Sequence, residues 1–227
     1  MRFIRFLAAF LIAGQLWSAG AHAGADPLDL YGEEVRFDIV RKGRTVGSHV
    51  VSFRRAGEAI ETRSEVRIAI DVLIFKAFRY RYDSDARWED GQLSQLTVDV
   101  DDNGKRTQLT AAVEGDALSG TLNSAAFTAA APLYPTEHWN PGVLPQRRVL
   151  NTLTGKVNNV IIEPGAREYV ATERGQVPAT YYRYTGDLLA ELWYDDDGRW
   201  VKMRFKGRDG SMIEYVCRRC QGPDAVS

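Results

Sequence analysis

The stretch YPTEHWNPGVLPQ, residues 134–146, sets Glu137 beside His138 and flanks them with Tyr134 and Trp139. A carboxyl and an imidazole held together can relay a proton, so this is the first place to look for acid–base chemistry. Such chemistry needs a nucleophile in reach of its base, and a further group to orient that base. The chain has no G-x-S-x-G elbow, and no Ser, Cys or Thr is marked by its neighbours as a nucleophile. His49, in VGSHVVSF, shares its register with Val51 and Phe53, so it points inward from a strand. There a hydrogen-bonded structural histidine is the expectation. Two histidines beyond the N-terminal leader do not make a histidine-rich zinc site. No catalytic residue, metal ligand or cofactor is assigned.

Three other clusters invite chemistry. DVDDNGK puts Asp99, Asp101, Asn103 and Gly104 at the first, third, fifth and sixth places of a calcium loop. The closing position, which calls for a bidentate glutamate, is Thr110, and an Asn-Gly hairpin accounts for the stretch. Asp195, Asp196 and Asp197 in YDDDGRW form a solvated turn. Cys217 and Cys220 form CRRC near the end of the chain and are the candidate disulfide. In an extended strand these residues stand about 10 Å apart, so a bridge requires the chain to bend after Tyr215. A metal-binding or redox-active thiol pair and idle thiols are the alternatives. A thioredoxin-type site is disfavoured, since that motif opens a helix and this one closes a strand.

The elements that position these residues follow one grammar. In AIETRSEVRIAIDV, Ile60, Thr62, Ser64, Val66, Ile68, Ile70 and Val72 alternate with charged residues; in FRYRYDSDARW, Phe78, Tyr80, Tyr82, Ala86 and Trp88 do. Period two means a strand with one dry and one wet face. VRFDIV, LTVDVD, DLLAELWY and WVKMRF repeat it, and VLIFKAF reads as a strand interior with a bend. Between the runs lie RKGR, RAGE, EDGQ, DDNGK, EGDA, TERGQ, YTGD, DDDGR and GRDG, which supply the positive φ angles of tight hairpins. The expected fold is all-β: an antiparallel meander of about eleven or twelve strands. Its dry face must be covered, so the sheet curls into a barrel or curved half-barrel.

Residues 1–23 carry Arg2 and Arg5, the apolar run FLAAFLIAGQLW, and small Ala21 and Ala23 around His22. That is the layout of a secretory signal peptide cleaved after Ala23, and the apolar run is too short for a membrane span. The expected location is periplasmic. Of 29 basic and 30 acidic side chains, cleavage removes two arginines. The near balance gives no electrostatic reason to bind nucleic acid or an anionic membrane surface. Residues 24–33 read as a linker, 34–220 as one barrel-like domain, and 221–227 as a flexible tail.

Pro132, Pro135, Pro141 and Pro145 forbid regular ladder pairing, so residues 132–146 leave the sheet as an irregular crossover. Its apolar side chains should pack it across an end of the barrel, as a connection or a lid. A barrel this wide encloses more room than its own side chains fill. The ligand-binding candidates are then Phe78, Tyr80, Tyr82 and Trp88 on the cavity wall, with His138 and Trp139 at its mouth.

RKGRTVGSHVVSF, YPTEHWNP, LNTLTG and LWYDDDGRWVKMRFKGRDGSMIEYVCR together resemble a family of exported proteobacterial proteins classed only as a domain of unknown function. That family implies no activity, cofactor or site residues. In architecture the chain is also similar to periplasmic carriers of the lipoprotein-shuttling kind, whose curved sheet holds acyl chains beneath a lid. The expected function is binding of a hydrophobic or amphipathic, lipid-like small molecule. An envelope interaction or assembly module, and a hydrolase acting on a lipid or cell-wall substrate, are the alternatives; no protein partner is identified.

Overall fold

The structure, a computed structural model, describes residues 26–70 and 78–223. The leader at 1–23 and residues 72–77 of VLIFKAF lie outside the described residues. A short helix, α1 (Pro27–Tyr31), is followed by β1 (Glu34–Arg41), β2 (Arg44–Ala56), β3 (Ala59–Ile70), β4 (Phe78–Glu89) and β5 (Gln92–Asp102). Then come β6 (Lys105–Glu114), β7 (Ala117–Leu122), β8 (Ala125–Ala130), β9 (Tyr134–Pro135) and β10 (Arg148–Asn151). The chain ends with β11 (Lys156–Thr172), β12 (Gly175–Gly186), β13 (Ala190–Asp195), β14 (Trp200–Lys206) and β15 (Met212–Arg219).

All fifteen described strands form one sheet, in the order β8 back to β1, then β15 back to β9. Neighbours are antiparallel except β9 and β10, which run parallel. The ladder between β1 and β15 joins the two halves of the chain, so the meander curls upon itself as expected. Closure is incomplete: β8 and β9 stand at the two ends of the sheet and do not pair with each other. Near this gap the Leu122 side chain, at the end of β7, lies against Gly155 in the turn after β10. The strand number exceeds the expected eleven or twelve because β7 (ALSGTL), β8 (AAFTAA), β9 and β10 are short and alanine-rich or irregular. Such segments carry too little alternation to register as strands.

Local chemistry explains the hairpins. Lys42-Gly43, Asp90-Gly91, Asn103-Gly104 and Asn123-Ser124 all take positive φ at both turn positions. That conformation matches the twist of the flanking strands. The calcium-like stretch is such a turn, with the Gly104 N–H donating to Asp101 Oδ1 at 2.6 Å. Gly47 is demanded by packing: a Cβ there would lie 2.0 Å from the Arg67 carbonyl oxygen, beside the bulge where β2 slips against β1.

The wet face carries paired charges. Asp83 is buried there because Arg67 and Arg81 close over it, the latter with Nε 2.6 Å from its carboxylate. The dry face holds Val35, Phe37, Ile39, Val51, Leu96, Val98 and Leu109, all nearly inaccessible to water. The expected linker and tail contribute to this core. Asp26 caps α1, accepting the Leu28 N–H at 2.9 Å, and Tyr31 is fully buried. Gln221 is buried as well, and Gly222 packs on the Leu30 carbonyl. Among the described residues, no helix is long and apolar enough to cross a membrane.

Candidate functional site: the internal cavity

After the cis Ala131–Pro132 bond, the proline-bearing crossover packs across one end of the barrel, as expected: Tyr134 donates to the Gly91 carbonyl in the β4–β5 turn at 3.3 Å, and Pro141 lies against Gly198 in the β13–β14 turn. Between these contacts, residues 137–140 turn inward and are buried. Pro135 pairs with Leu150 of β10, and the Thr136 N–H donates to the Leu150 carbonyl at 3.0 Å. Irregular backbone inside a core needs partners for its polar groups, and tyrosines from β13 and α1 supply them. Tyr194 donates to the His138 carbonyl at 2.8 Å and Tyr31 to the Trp139 carbonyl at 2.9 Å. Tyr31 also accepts the Trp200 N–H at 2.8 Å. Asn140 then caps a short 3-10 turn, Pro141–Val143.

This path divides the interior into two unequal halves. On one side Trp139 wedges against Trp88 and Phe53, with ring centroids 5.0 and 5.2 Å away, and that half is packed apart from a recess of about 150 Å³ beside Trp88 and Asn140. On the other side remains a cavity of about 590 Å³. Its walls are Val66, Ile68, Phe78 and Tyr80 facing Met203, Phe205, Ile213 and Tyr215. The floor comprises His49, Ser64, Tyr82, Glu137, His138 and Trp200. Arg41, Asp102, Arg208 and Asp209 stand at the rim, where each arginine is already paired with one of the acids. The size falls within the range of roughly 300–1,000 Å³ typical of small-molecule sites.

The floor is polar, buried and without a strong base. Glu137 Oε1 accepts from the Ser84 hydroxyl, and the Tyr82 hydroxyl stands 3.2 Å from both that oxygen and Thr152 Oγ1. Burial raises the Glu137 carboxyl above the usual carboxylate range, against those hydrogen bonds. The Trp139 indole lies near this carboxyl yet falls short of hydrogen-bond geometry. His49 Nε2 lies 2.8 Å from Ser64 Oγ. Burial, with His138 nearby, pushes His49 down to about 3, and burial alone takes His138 to about 4. Both rings meet Trp200 edge-on, at 5.6 and 5.9 Å.

These values decide what the floor can do. A general base works best near the ambient pH, and both imidazoles sit far below it. The Ser64–His49 pair lacks an orienting carboxylate, because His49 Nδ1 has no partner. Glu137 spends its bonded oxygen on hydroxyls instead of an imidazole. At neutral pH the histidines offer polarity without charge.

A broader recess of about 1000 Å³ lies on the charged outer face, among residues such as Glu61, Arg63, Asp85 and Arg87. Its cations and anions neutralise one another, as in the Arg63–Asp85 pair at 3.1 Å and the Arg87–Glu61 pair at 3.4 Å. Such a surface makes no demand for a ligand.

Of the sequence candidates, Phe78, Tyr80 and Tyr82 line the cavity, and His138 lies at its floor, not its mouth. Trp88 and Trp139 are in the packed half, 3% and 2% exposed. Alternation tells which face a side chain takes but not on which side of the crossover it falls. Ile68 and Ser64 were legible in the β3 pattern. Tyr215 and Met203 were not singled out, although WVKMRF and MIEYVC carry the same alternation.

Cys217 and Cys220 are bonded, with Cα atoms 5.8 Å apart. The bend comes at Arg218, later than Tyr215: the ladder with β1 skips this residue between Cys217 and Arg219. Glu173, from the β11–β12 turn, seals the bend by accepting the N–H groups of Cys220 at 2.9 Å and Gln221 at 2.8 Å.

A family model described as "Domain of unknown function (DUF6134)" matches residues 37–218. Among solved structures, the chain is similar to a beta-barrel-like protein of the domain of unknown function DUF1849 from Brucella abortus. The two share 12% identity and a TM-score of 0.59, over 84% of this chain and 97% of that one. At that identity the likeness shows the fold alone. No functionally curated protein matches the sequence.

Proposed function

Because the chain belongs to the DUF6134 family, whose domain has no assigned function, we propose its role from geometry: it binds one hydrophobic or amphipathic, lipid-like molecule in the internal cavity. The observation that carries this reading is a mostly apolar cavity of about 590 Å³, open at a charged rim. Apolar walls left facing water in such a cavity gain the hydrophobic stabilisation of burial when an apolar occupant covers them. Phe78 and Tyr80 serve on one wall, Met203, Phe205 and Tyr215 serve opposite, and Tyr82 serves on the floor.

The leader at residues 1–23 supports export to the periplasm. A disulfide between Cys217 and Cys220 suits that oxidising compartment. A hydrolase has less support, since His49 is a weak base with no orienting acid. An interaction module draws support from a different observation. β11 pairs with β10 only up to Asn159, so its remaining length has β12 on one side alone, and such an edge can accept a partner strand.

The test is native mass spectrometry of the protein purified from its own periplasm, followed by extraction of whatever accompanies it. The expected result is one small apolar molecule per chain. A ligand-free mass that also fails to shift on addition of fatty acids or phospholipids refutes the binding role. A stoichiometric protein partner instead of a small molecule favours the interaction module.

A further inference from the structure

The Cys217–Cys220 pair carries a contact that its disulfide does not explain. Glu173, in the β11–β12 turn, spends Oε1 on the backbone N–H groups of Cys220 and Gln221, at 2.9 and 2.8 Å. That anchorage turns Oε2 onto the sulfurs, 2.9 Å from Cys217 Sγ and 3.6 Å from Cys220 Sγ. A disulfide sulfur has no proton to give, so the bonded pair and the carboxylate face one another as acceptors only. Such a contact gains nothing until a proton or a cation stands between them.

Reduction turns this arrangement into a set of three ligands. The two sulfurs and the carboxylate oxygen all lie within 4.8 Å of one another. Cutting the S–S bond frees both side chains to turn apart, and Cα atoms 5.8 Å apart at C-x-x-C spacing suit two bonds of about 2.3 Å to one zinc ion. Both cysteines are buried whereas Glu173 is exposed, so an ion enters from the Glu173 side, where a water completes its tetrahedron. The buried Gln221 amide, its nitrogen 4.0 Å from Cys220 Sγ, adds a donor near the thiolate. Calcium and magnesium take oxygen ligands, so the two sulfurs select a softer ion.

We propose that Cys217, Cys220 and Glu173 form a redox-gated Zn²⁺ site, closed as the disulfide and open as the dithiol. Opening breaks the S–S bond with two electrons and two protons from a dithiol reductant, which leaves as its own disulfide. The cation then displaces both thiol protons to solvent. None of the three residues lines the cavity, so the site stands apart from the binding reading.

The experiment uses the full chain, reduced with a small dithiol, freed of it by gel filtration under argon, and titrated with Co²⁺ as a coloured stand-in for Zn²⁺. The expected result is one Co²⁺ per chain with near-ultraviolet thiolate-to-metal absorption, reversed by Zn²⁺, and no such absorption in the unreduced chain. Glu173→Gln keeps an oxygen for the two N–H groups but loses the charge. It should bind roughly tenfold or more weakly, the least that even an outer partner of a metal site is worth. Zn²⁺ should also raise the thermal midpoint of the reduced chain, because only the fold brings the three ligands together. An absent absorption, one that persists when both cysteines are replaced by alanine, or equal affinity in Glu173→Gln overturns the site. So does a midpoint that stays or falls with Zn²⁺, as when thiols of the unfolded chain hold the ion.

Discussion

Stability should fall in mild acid, and His49 should account for a defined part of the fall. In the folded chain this imidazole is buried between Trp200 and Tyr215 and held neutral, its pKa down at about 3 against an ordinary 6.5. A base whose folded pKa is depressed binds its proton more readily when unfolded. Its neutral burial is therefore free of penalty above 6.5 and increasingly costly as the pH falls from there toward the folded pKa. At about 1.4 kcal/mol per unit, moving from about pH 7.5 to about pH 5 should remove about 2 kcal/mol through His49 alone. The figure is insensitive to the folded pKa, because any value below about 4 leaves the folded imidazole neutral throughout that window. The assay is urea unfolding of wild type and His49→Gln at both pH values, with linear extrapolation. Glutamine keeps a polar partner for Ser64 without titrating. The opposing effect of Glu137, whose raised carboxyl favours folding as the pH falls, is present in both proteins and cancels in the difference. The pH-induced loss should be smaller in the variant by about 2 kcal/mol. Identical losses in the two proteins would show that His49 titrates normally when folded, and the picture of a dry, neutral floor would be wrong.

Trp139→Ala should destabilise by about 3–5 kcal/mol, because it empties the packed half between Trp88 and Phe53; a loss under about 1 kcal/mol in chemical denaturation would contradict that placement. Ile68→Trp, on the cavity wall, should leave a cooperative unfolding transition near the wild-type midpoint yet abolish uptake of apolar probes; unchanged uptake would mean they bind elsewhere. Replacing Cys217 and Cys220 together by alanine should cost only about 2 kcal/mol, since the closed loop is so short, and a drop beyond about 4 kcal/mol would imply a larger role in the β1–β15 ladder. Gly47→Ala should weaken the fold severely, as the new methyl meets the Arg67 carbonyl; an unaltered thermal midpoint would remove the case for a close strand crossing there.

The meander was legible because its signals are local. Alternation along AIETRSEVRIAI or FRYRYDSDARW assigns a dry face from adjacent residues alone, and Asn103-Gly104 or Asp90-Gly91 selects a hairpin through its own backbone preference. The all-β class, the inward set Phe78, Tyr80 and Tyr82, and the irregular course of residues 136–146 rest on such signals, whereas Tyr134–Pro135 joins the sheet as β9 despite its proline. Where that segment then goes depends on groups far away in sequence. Its inward turn at residues 137–140 is held by the hydroxyls of Tyr31 and Tyr194, separated from their carbonyl partners by 108 and 56 residues. The Ser84–Glu137 contact joins positions 53 apart, and the β1–β15 ladder joins the ends of the domain. No local pattern encodes these meetings, since they are chosen by which packing satisfies buried polar groups at least cost. A side chain's face therefore belongs to the sequence, whereas its depth, and the division of one interior into a packed half and a hollow one, belongs to the folded chain.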